Sequence, residues 1–374
     1  MKIKQCEVVQ VSKSNPISEP SPPGLNSFEL LKFLSRYLRI DSSAAAQVAQ
    51  HLYEIGLISY PRSESTKYSY DFVVVLEQLY HNLKIVNGTN VSGRYENRIM
   101  EVIEKMEIDT IENAKNKGVD SLDHPPITPT QKRLINYDES GQRRYSNNQY
   151  LNNTDKIVYN FIVRRFLAIF MDAYSYCKNA VKFKVGRHEF EYSFFTTQKA
   201  GFTELLPELI KNGTNDKNLS FNIGSKFPFD VKVKEIPMPF LEEYELIQNM
   251  EDHNIGTDGS IPNHIAVIER VKYVKIDNDT FTLEPELLGT LLVNAYKDCI
   301  PDLINPKCRA RFIKDIRCIA SGEKSFTEVY EKYLKEFDEN FQRLSKALFL
   351  YFNEHVDKFR GCFPNNKCVT EKRR

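Results

Sequence analysis

The spacing of apolar residues changes twice along this 374-residue chain, and that change limits the fold more than any other feature. Apolar residues recur at helical spacing in the first part of the chain, alternate one by one over residues 177–195, and return to helical spacing after residue 241. A period near 3.6 residues indicates an amphipathic helix, whereas a period of two indicates a strand with one buried face. The pattern predicts an α+β protein with three compact units.

Three short segments refine this prediction. Residues 3–11 alternate like a strand, and residues 14–24 form a linker rich in proline and serine. Helices are predicted after a cap at Asn26 or Ser27, and after a second cap at Asp41 or Ser42. Gly56 is predicted to end the second of these helices. Helical patterns are also predicted for residues 71–117, 156–174 and 261–274.

The charge balance argues against a protein that holds nucleic acid by bulk charge alone. Lysine plus arginine number 51 and aspartate plus glutamate number 50. A locally basic groove stays open, because residues 163–166, 270–275 and 307–314 are basic with apolar residues between the charges. Each of these stretches is more often a solvated face. No apolar run approaches the roughly 20 residues of a membrane span, so no membrane association is predicted.

The seven cysteines are scattered, odd in number and without a CxxC pair. This usage favours reduced thiols in an intracellular protein over a disulfide framework. Cys362 and Cys368 could form half of a zinc site, but two further ligands would have to come from elsewhere.

Several common catalytic motifs are absent from the sequence. There is no GxxxxGK[ST], no GxGxxG after a strand and no HExxH, so these motifs support neither P-loop ATP hydrolysis nor zinc-protease chemistry. Asp277 and Asp279 lack a third acidic residue in register, which favours a turn over a metal site.

The segment GLISYPRSEST, residues 56–66, remains as a candidate site. LISY is predicted to form a short strand, in which Tyr60 and Arg62 would lie on one face. A free phenol has a pKa of about 10 and is a weak nucleophile, but a neighbouring guanidinium stabilises the phenolate and can hold a phosphate. Such a pair suits attack on a phosphodiester. By residue type alone, a half-buried tyrosine beside a surface arginine is the commoner situation.

The wider context of this segment resembles the type IA DNA topoisomerases. LYEIGLISYPRSES is similar to the family's active-site segment, LDHPPITPT to its proline-rich loop, and MEDHNIGTDGSIP to its Gly-Ile-Gly-Thr-Asp block. VYNFIVRRFLAIF, GFTELLP and the helices after residue 286 match in the same order, so the resemblance runs over nearly residues 5–345. Within the family the chain resembles most the eukaryotic topoisomerases III, with features of the beta type.

The resemblance implies a role for particular residues. Tyr60 would be the nucleophile that takes the 5′ phosphate of a cut strand, Arg62 would brace that phosphate, and His124 would assist at the scissile phosphate. The nucleic-acid-binding residues implied are these: Ser63, which replaces the usual threonine, and Gly256, Thr257 and Asp258. A plain helix-cap role for Thr257 and Asp258 is equally compatible.

The resemblance also implies an architecture, that of a multidomain α+β type IA topoisomerase core with winged-helix-like helical domains and a β arch, forming a partial toroid. The expected divisions are the returning strand and linker (1–20), the catalytic tyrosine domain (21–170), the β arch or gate (171–245), the helical single-strand-binding domain (246–350) and a tail (351–374). The family's TOPRIM domain, which supplies the Mg²⁺ ligands, is expected to be lacking here, through truncation, as a separate chain or by true loss.

Further expectations concern function. The implied activity is ATP-independent relaxation of negative supercoils, incomplete without TOPRIM. The implied substrate is single-stranded DNA, with RNA also open. The implied partners are a Tudor/OB-type accessory protein or a RecQ-type helicase. The implied location of this protein is the nucleus and also the cytoplasm.

The alternative is a single-strand-binding paralogue or scaffold that does not cut. A tyrosine recombinase is excluded because its nucleophile lies near the C-terminus, whereas Tyr60 lies near the N-terminus.

Overall fold

The structure, a computed structural model, describes residues 5–69, 117–130, 135–137, 143–145, 151–211, 221–230, 235, 238–256 and 259–363. The chain divides into two compact units. Residues 1–29 and 46–238 form the first unit, and residues 30–45 and 239–374 form the second. No helix of the described residues is both long and apolar enough to cross a membrane.

The elements as far as residue 199 are, in chain order, β1 (Gln5–Lys13), β2 (Ile17–Glu19), α1 (Ser27–Phe33, continued by a π-helical turn, Leu34–Leu38), α2 (Ser42–Glu54), β3 (Ile135–Tyr137), β4 (Arg143–Tyr145), α3 (Asn153–Ala168), β5 (Tyr174–Val185) and β6 (His188–Lys199). Those that follow are β7 (Lys226–Pro228), α4 (Glu243–Asp252), α5 (Ile261–Arg270), β8 (Val274–Ile276), β9 (Leu283–Pro285), α6 (Leu287–Cys299), α7 (Pro306–Ala320), α8 (Phe326–Glu354) and α9 (Val356–Cys362). Three short 3₁₀ turns accompany them, Gly201–Glu204, Pro207–Leu209 and Pro301–Ile304.

An antiparallel sheet organises the first unit. β5 pairs with β6 along one edge and with β1 and β2 along the other, and β7 extends the sheet beyond β1. Alternation places Val8, Val181 and Phe194 on one buried face, where Phe183 and Phe221 pack against them. The opposite face pairs Lys184 of β5 with Glu7 and Glu189 on its two neighbours, a polar surface typical of one-sided antiparallel sheets.

Helix α3 provides the other large part of the first unit's core. From Val158 to Ala168 every residue but Asn160 is buried. Its start is fixed by a reciprocal capping box, in which Asn152 accepts from the Asp155 N–H at 2.8 Å and Asp155 accepts from the Asn152 N–H at 3.0 Å. The buried Arg164 donates through Nη1 to the Leu205 carbonyl at 2.8 Å and to Glu208 at 3.0 Å.

A buried carboxylate joins the helices of the second unit. Glu243, at the start of α4, is 2% exposed. Its oxygens accept from the Ser35 hydroxyl at 2.8 Å and from the Ser42 hydroxyl at 2.6 Å. The start of α2 is also capped by Asp41, which accepts from the Ala44 N–H at 2.8 Å.

The mixed helix and strand content confirms the α+β prediction, with shifted boundaries. The predicted N-terminal strand is β1. The helix predicted over residues 156–174 ends at Ala168, because β5 begins at Tyr174. The helix predicted over residues 261–274 ends at Arg270, because Val274 pairs with Pro285 in a small hairpin. The helical pattern predicted for residues 71–117 falls outside the described residues except at its last position.

Candidate active site

The candidate site is built where helix α2 ends. Gly56 has φ +77°, a left-handed conformation that costs side-chain-bearing residues energy. Its N–H donates to the Tyr53 carbonyl at 2.7 Å, and the Leu57 N–H donates to the Leu52 carbonyl at 2.9 Å. These two bonds form a Schellman motif, which ends the helix and turns the chain towards Tyr60. The predicted helix end at Gly56 is confirmed.

The chain before Tyr60 is held by the proline-rich loop. The Ser59 N–H donates to the Thr128 carbonyl at 2.8 Å, and the Thr130 N–H donates to the Leu57 carbonyl at 3.0 Å. Ile58 and Pro129 form an isolated antiparallel bridge and not a strand. The short strand predicted for LISY is therefore wrong, and alternation along a strand does not determine where Tyr60 and Arg62 point.

Tyr60 lies between two aromatic rings. The His124 ring is 4.6 Å from its ring centroid at an interplanar angle of 69°, and the Tyr53 ring is 5.2 Å away at 74°. Both are edge-on contacts of the kind aromatic pairs prefer. The structure thus brings together Tyr60 and His124, which lie 64 positions apart in the sequence. Tyr60 is half-buried, while His124 is exposed.

Arg62 lies two residues further along the same loop. Its side chain is exposed, and among the residues that the structure describes it has no salt bridge. An exposed guanidinium is suited to an anion from solution, since its fork of N–H donors matches phosphate oxygens.

Ser63 is fully buried, at 0% exposure. Its hydroxyl donates to the His124 carbonyl at 2.6 Å, and its N–H donates to the Ser27 hydroxyl at 2.9 Å. Ser27 in turn donates to the Pro61 carbonyl at 2.7 Å. In this structure Ser63 holds the loop, so a contact of its side chain with nucleic acid would require the loop to open.

Asp123 makes the second set of bonds between the two loops. Its carboxylate accepts from the Glu64 N–H at 2.6 Å and from the Ser65 hydroxyl at 2.5 Å. The Ser65 hydroxyl also accepts from the Ser121 N–H at 3.0 Å. Partial burial acts to raise the pKa of the Asp123 carboxyl, but the bonds from Glu64 and Ser65 outweigh it and hold that pKa below its ordinary value. We call Ser63, Ser65 and Asp123 the serine–aspartate clamp.

Sequence reasoning missed Ser65 and Asp123, and it took Ser27 only as a candidate helix cap. Asp123 stands in the loop LDHPPITPT, and Ser65 in the polar stretch after Tyr60. Short polar side chains that compete for backbone groups are common in loops, so their type alone did not mark these residues. The signal that could have found them is the presence of hydroxyl and carboxylate residues in both segments, adjacent to the candidate tyrosine and histidine.

The Gly-Ile-Gly-Thr-Asp-like block lies in the second unit. Gly256 has φ +84° and lines a groove of about 880 Å³ with apolar residues of α4, α5 and α7 and with Arg309 and Arg317. Thr257 and Asp258 lie outside the described residues. Cys368 also lies outside them, so the structure does not address the zinc half-site with Cys362.

Comparisons with known proteins match this chain to DNA topoisomerases. The family model described as DNA topoisomerase matches residues 1–331. The chain is 31% identical over 346 residues to DNA topoisomerase 3-beta of Drosophila melanogaster, covering 91% of this chain and 35% of that protein. It is 30% identical over 343 residues to human DNA topoisomerase 3-beta-1, covering 90% and 36%. The chain therefore spans about a third of the length of these curated relatives.

A solved structure shares the fold. Full-length topoisomerase I from Thermotoga maritima superposes with a TM-score of 0.61 at 20% identity, covering 91% of this chain and 53% of that one. This likeness confirms the predicted α+β fold class.

Proposed function

Since the chain belongs to the type IA DNA topoisomerase family, we propose that it is the strand-cutting and resealing core of such an enzyme, with Tyr60 as nucleophile. The observation that carries the proposal is the edge-on contact of Tyr60 and His124, 4.6 Å between ring centroids, with the exposed Arg62 two residues further along the same loop. Family membership supports the reaction class, and the contact between Tyr60 and His124 supports the choice of these residues.

The reaction balances without ATP. The Tyr60 oxygen attacks the phosphorus of one strand, an oxygen–phosphorus bond to Tyr60 forms, and the bond from phosphorus to the 3′ oxygen breaks. Tyr60 loses a proton, the 3′ oxygen gains one, and the 5′ phosphate stays on the protein. One phosphodiester is exchanged for another, so the reverse attack by the 3′ hydroxyl reseals the strand. Passage of another strand between the two steps would relax negative supercoils.

Two further side chains have roles in this proposal. Arg62 would hold the non-bridging phosphate oxygens by charge-assisted hydrogen bonds and stabilise the charge that develops there. His124, in contact with Tyr60, would donate a hydrogen bond to the scissile phosphate.

The family uses Mg²⁺, but the described residues do not fit that ion. Among them there is no group of three or more histidine, cysteine, aspartate or glutamate side chains placed to hold a metal. The carboxylate next to His124, that of Asp123, is already bonded to Glu64 and Ser65. No step above is therefore assigned to Mg²⁺. We propose that its ligands come from a TOPRIM domain, as the resemblance implies.

The test uses a single-stranded oligonucleotide with a label at its 3′ end. After incubation of the chain with Mg²⁺, with and without a separately supplied TOPRIM domain, a denaturant-resistant labelled protein band is the expected product. Tyr60→Phe removes only the hydroxyl and should abolish the band, while Tyr53→Phe, its aromatic neighbour, should retain it. An adduct that persists in Tyr60→Phe would show that Tyr60 is not the nucleophile.

Substrate, partner and location are further parts of the proposal. We propose single-stranded DNA as the substrate, with RNA as a second one, and the nucleus as the main location, with the cytoplasm as a second. A Tudor/OB-type accessory protein or a RecQ-type helicase would be the partner. Competition between matched DNA and RNA oligonucleotides in the adduct assay tests the substrate. If tight strand binding occurs without any adduct under either condition, the chain is a binding module.

A further inference from the structure

We propose that Asp123 is a positioning residue, which sets the His124 imidazole against the Tyr60 ring by clamping the two loops together. This inference rests on the proposed function for its chemical meaning. Its structural content, that the carboxylate of Asp123 determines the contact between Tyr60 and His124, can be tested without any reaction.

The imidazole of His124 depends on its backbone for its position. The side chain is exposed, and within the described part of the chain no hydrogen bond or ion pair holds its ring. Its ring packs edge-on against the ring of Tyr60. The placement of the ring therefore follows from the placement of residues 123 and 124 relative to the loop that carries Tyr60.

Hydrogen bonds on both sides of the Asp123–His124 peptide provide that placement. On the near side, the two carboxylate oxygens of Asp123 each take a different donor, the Glu64 N–H and the Ser65 hydroxyl. On the far side, the carbonyl of His124 accepts from the Ser63 hydroxyl at 2.6 Å. The residues that hold this peptide, 63–65, begin three positions after Tyr60, so the clamp links the nucleophile's loop directly to the histidine.

An ionised aspartate is the side chain that suits this arrangement. It offers two acceptor oxygens and no donor, whereas asparagine would offer one acceptor and an amide N–H that repels one of the two donors. Charge-assisted bonds to a carboxylate are also shorter and stronger than neutral ones. The lowered pKa of Asp123 agrees with a carboxylate held in its ionised form.

The first arm of the test measures geometry. Histidine ring protons are followed by NMR in the full chain with selectively labelled histidine, and His124→Gln assigns the signal. The expected wild-type result is a ring-current shift and a cross-peak to Tyr60. Asp123→Ala should lose both, and Asp123→Asn should retain part of the shift. Asp277→Ala is the matched control, since Asp277 is likewise a hydrogen-bonded carboxylate, in a turn of the other unit, and accepts from the Asp279 N–H, the Thr280 N–H and the Thr280 hydroxyl.

The second arm measures the reaction. In the adduct assay, with TOPRIM supplied, Asp123→Ala should lower the rate of adduct formation about tenfold or more, because a small misplacement of a reacting group is costly. Oligonucleotide affinity should change less than about twofold, since the proposal gives Asp123 no contact with the strand. Ser65→Ala should show the same loss in milder form, and Ser65→Thr, which keeps the hydroxyl, should restore the rate.

The outcomes separate the two proposals. If Asp123→Ala and Ser65→Ala both keep the Tyr60 contact of His124, the positioning role is overturned, whatever the adduct assay gives. If the contact is lost but the adduct rate stays unchanged, His124 position does not matter for the reaction and the role is likewise overturned. If Tyr60→Phe still forms the adduct, the proposed function fails, while the NMR arm still decides whether Asp123 positions the ring. Should Asp123→Ala fail to fold, the Ser65 pair carries the test.

Discussion

At the scale of single residues, the candidate site combines the ring of Tyr60, which its neighbours hold, with the side chain of Arg62, which is exposed. Tyr60 is packed between Tyr53 and His124, which limits the directions its hydroxyl can take. Arg62 is exposed, and no described residue forms a salt bridge with it. A nucleophile gains from being held in one geometry, whereas a phosphate-binding group gains from keeping its donors available.

Replacement of Arg62 tests whether its exposed guanidinium binds the phosphate. Arg62→Ala should lower adduct formation about ten- to a hundredfold, by removing charge stabilisation of the phosphate. Arg62→Lys should retain part of the activity, because it keeps the charge but loses the two-pronged geometry. Single-turnover rates at saturating oligonucleotide measure the effect.

Arg187→Ala is the control for the loss of a surface charge. Arg187 is also exposed and belongs to the same unit, in the turn between β5 and β6. Equal losses for the two alanine variants would mean that Arg62 acts only through general electrostatic attraction to the strand.

At the scale of elements, the site depends on how one helix ends and which loop receives the chain. The Schellman motif at Gly56 ends α2, and the bonds of Ser59 and Thr130 then fix the following residues to the proline-rich loop. The Thr130 hydroxyl adds a bond to the Gly56 carbonyl at 2.5 Å, so the helix end and the loop are joined at the same point.

Gly56→Ala tests the importance of that helix end. A residue with a Cβ in the left-handed conformation costs about 1–2 kcal/mol, so the denaturant midpoint should fall accordingly. The adduct rate should fall as well, because the loop that carries Tyr60 begins there. Gly224→Ala is the control, since Gly224 has φ +87° and a Cβ there would meet no atom within 4 Å. If both variants lose stability and neither loses adduct formation, the helix end at Gly56 does not position the loop that carries Tyr60.

At the scale of the whole molecule, each unit contains a buried charge that packing alone would not tolerate. In the second unit Asp315, 4% exposed, accepts from Lys324 at 2.6 Å, Lys332 at 2.7 Å and the Tyr333 hydroxyl at 2.9 Å. These bonds link α7 to α8, and they hold the pKa of the Asp315 carboxyl far below its ordinary value. Burial and, after it, the hydrogen bond to Asp315 raise the pKa of the Tyr333 hydroxyl to about 12.

The lowered pKa of Asp315 predicts how stability depends on pH. A carboxyl whose pKa is lowered by folding contributes stability above its unfolded pKa of 3.8, and that contribution is lost as pH falls towards the folded value. Asp315→Asn should therefore cost about 2 kcal/mol of unfolding free energy at pH 7, and the difference from wild type should shrink below about pH 4. Denaturant unfolding at pH 7 and pH 3 measures it. Asp338→Asn, on the exposed side of α8, should show little difference at either pH.

Sequence alone determined the local features of this protein. The alternation of residues 3–11 and 177–195 predicted β1, β5 and the start of β6, and the helix starts at Asn26 and Asp41 follow from side chains that cap their own first turn. Tyr60 and Arg62 were found because they are neighbours, and His124 because its loop resembles that of a known family. The five predicted domain divisions and the roles of the site residues stay predictions.

Only the tertiary structure decided what lies beside Tyr60. The bonds from Ser63 and Ser65 to residues 123 and 124 span about sixty positions of sequence, and no local pattern carries information over that distance. The same holds for Glu243, which meets Ser35 and Ser42 only after folding. Propensity and capping act within a few residues, whereas the bonds that bring a histidine to a tyrosine depend on which loops the fold places side by side.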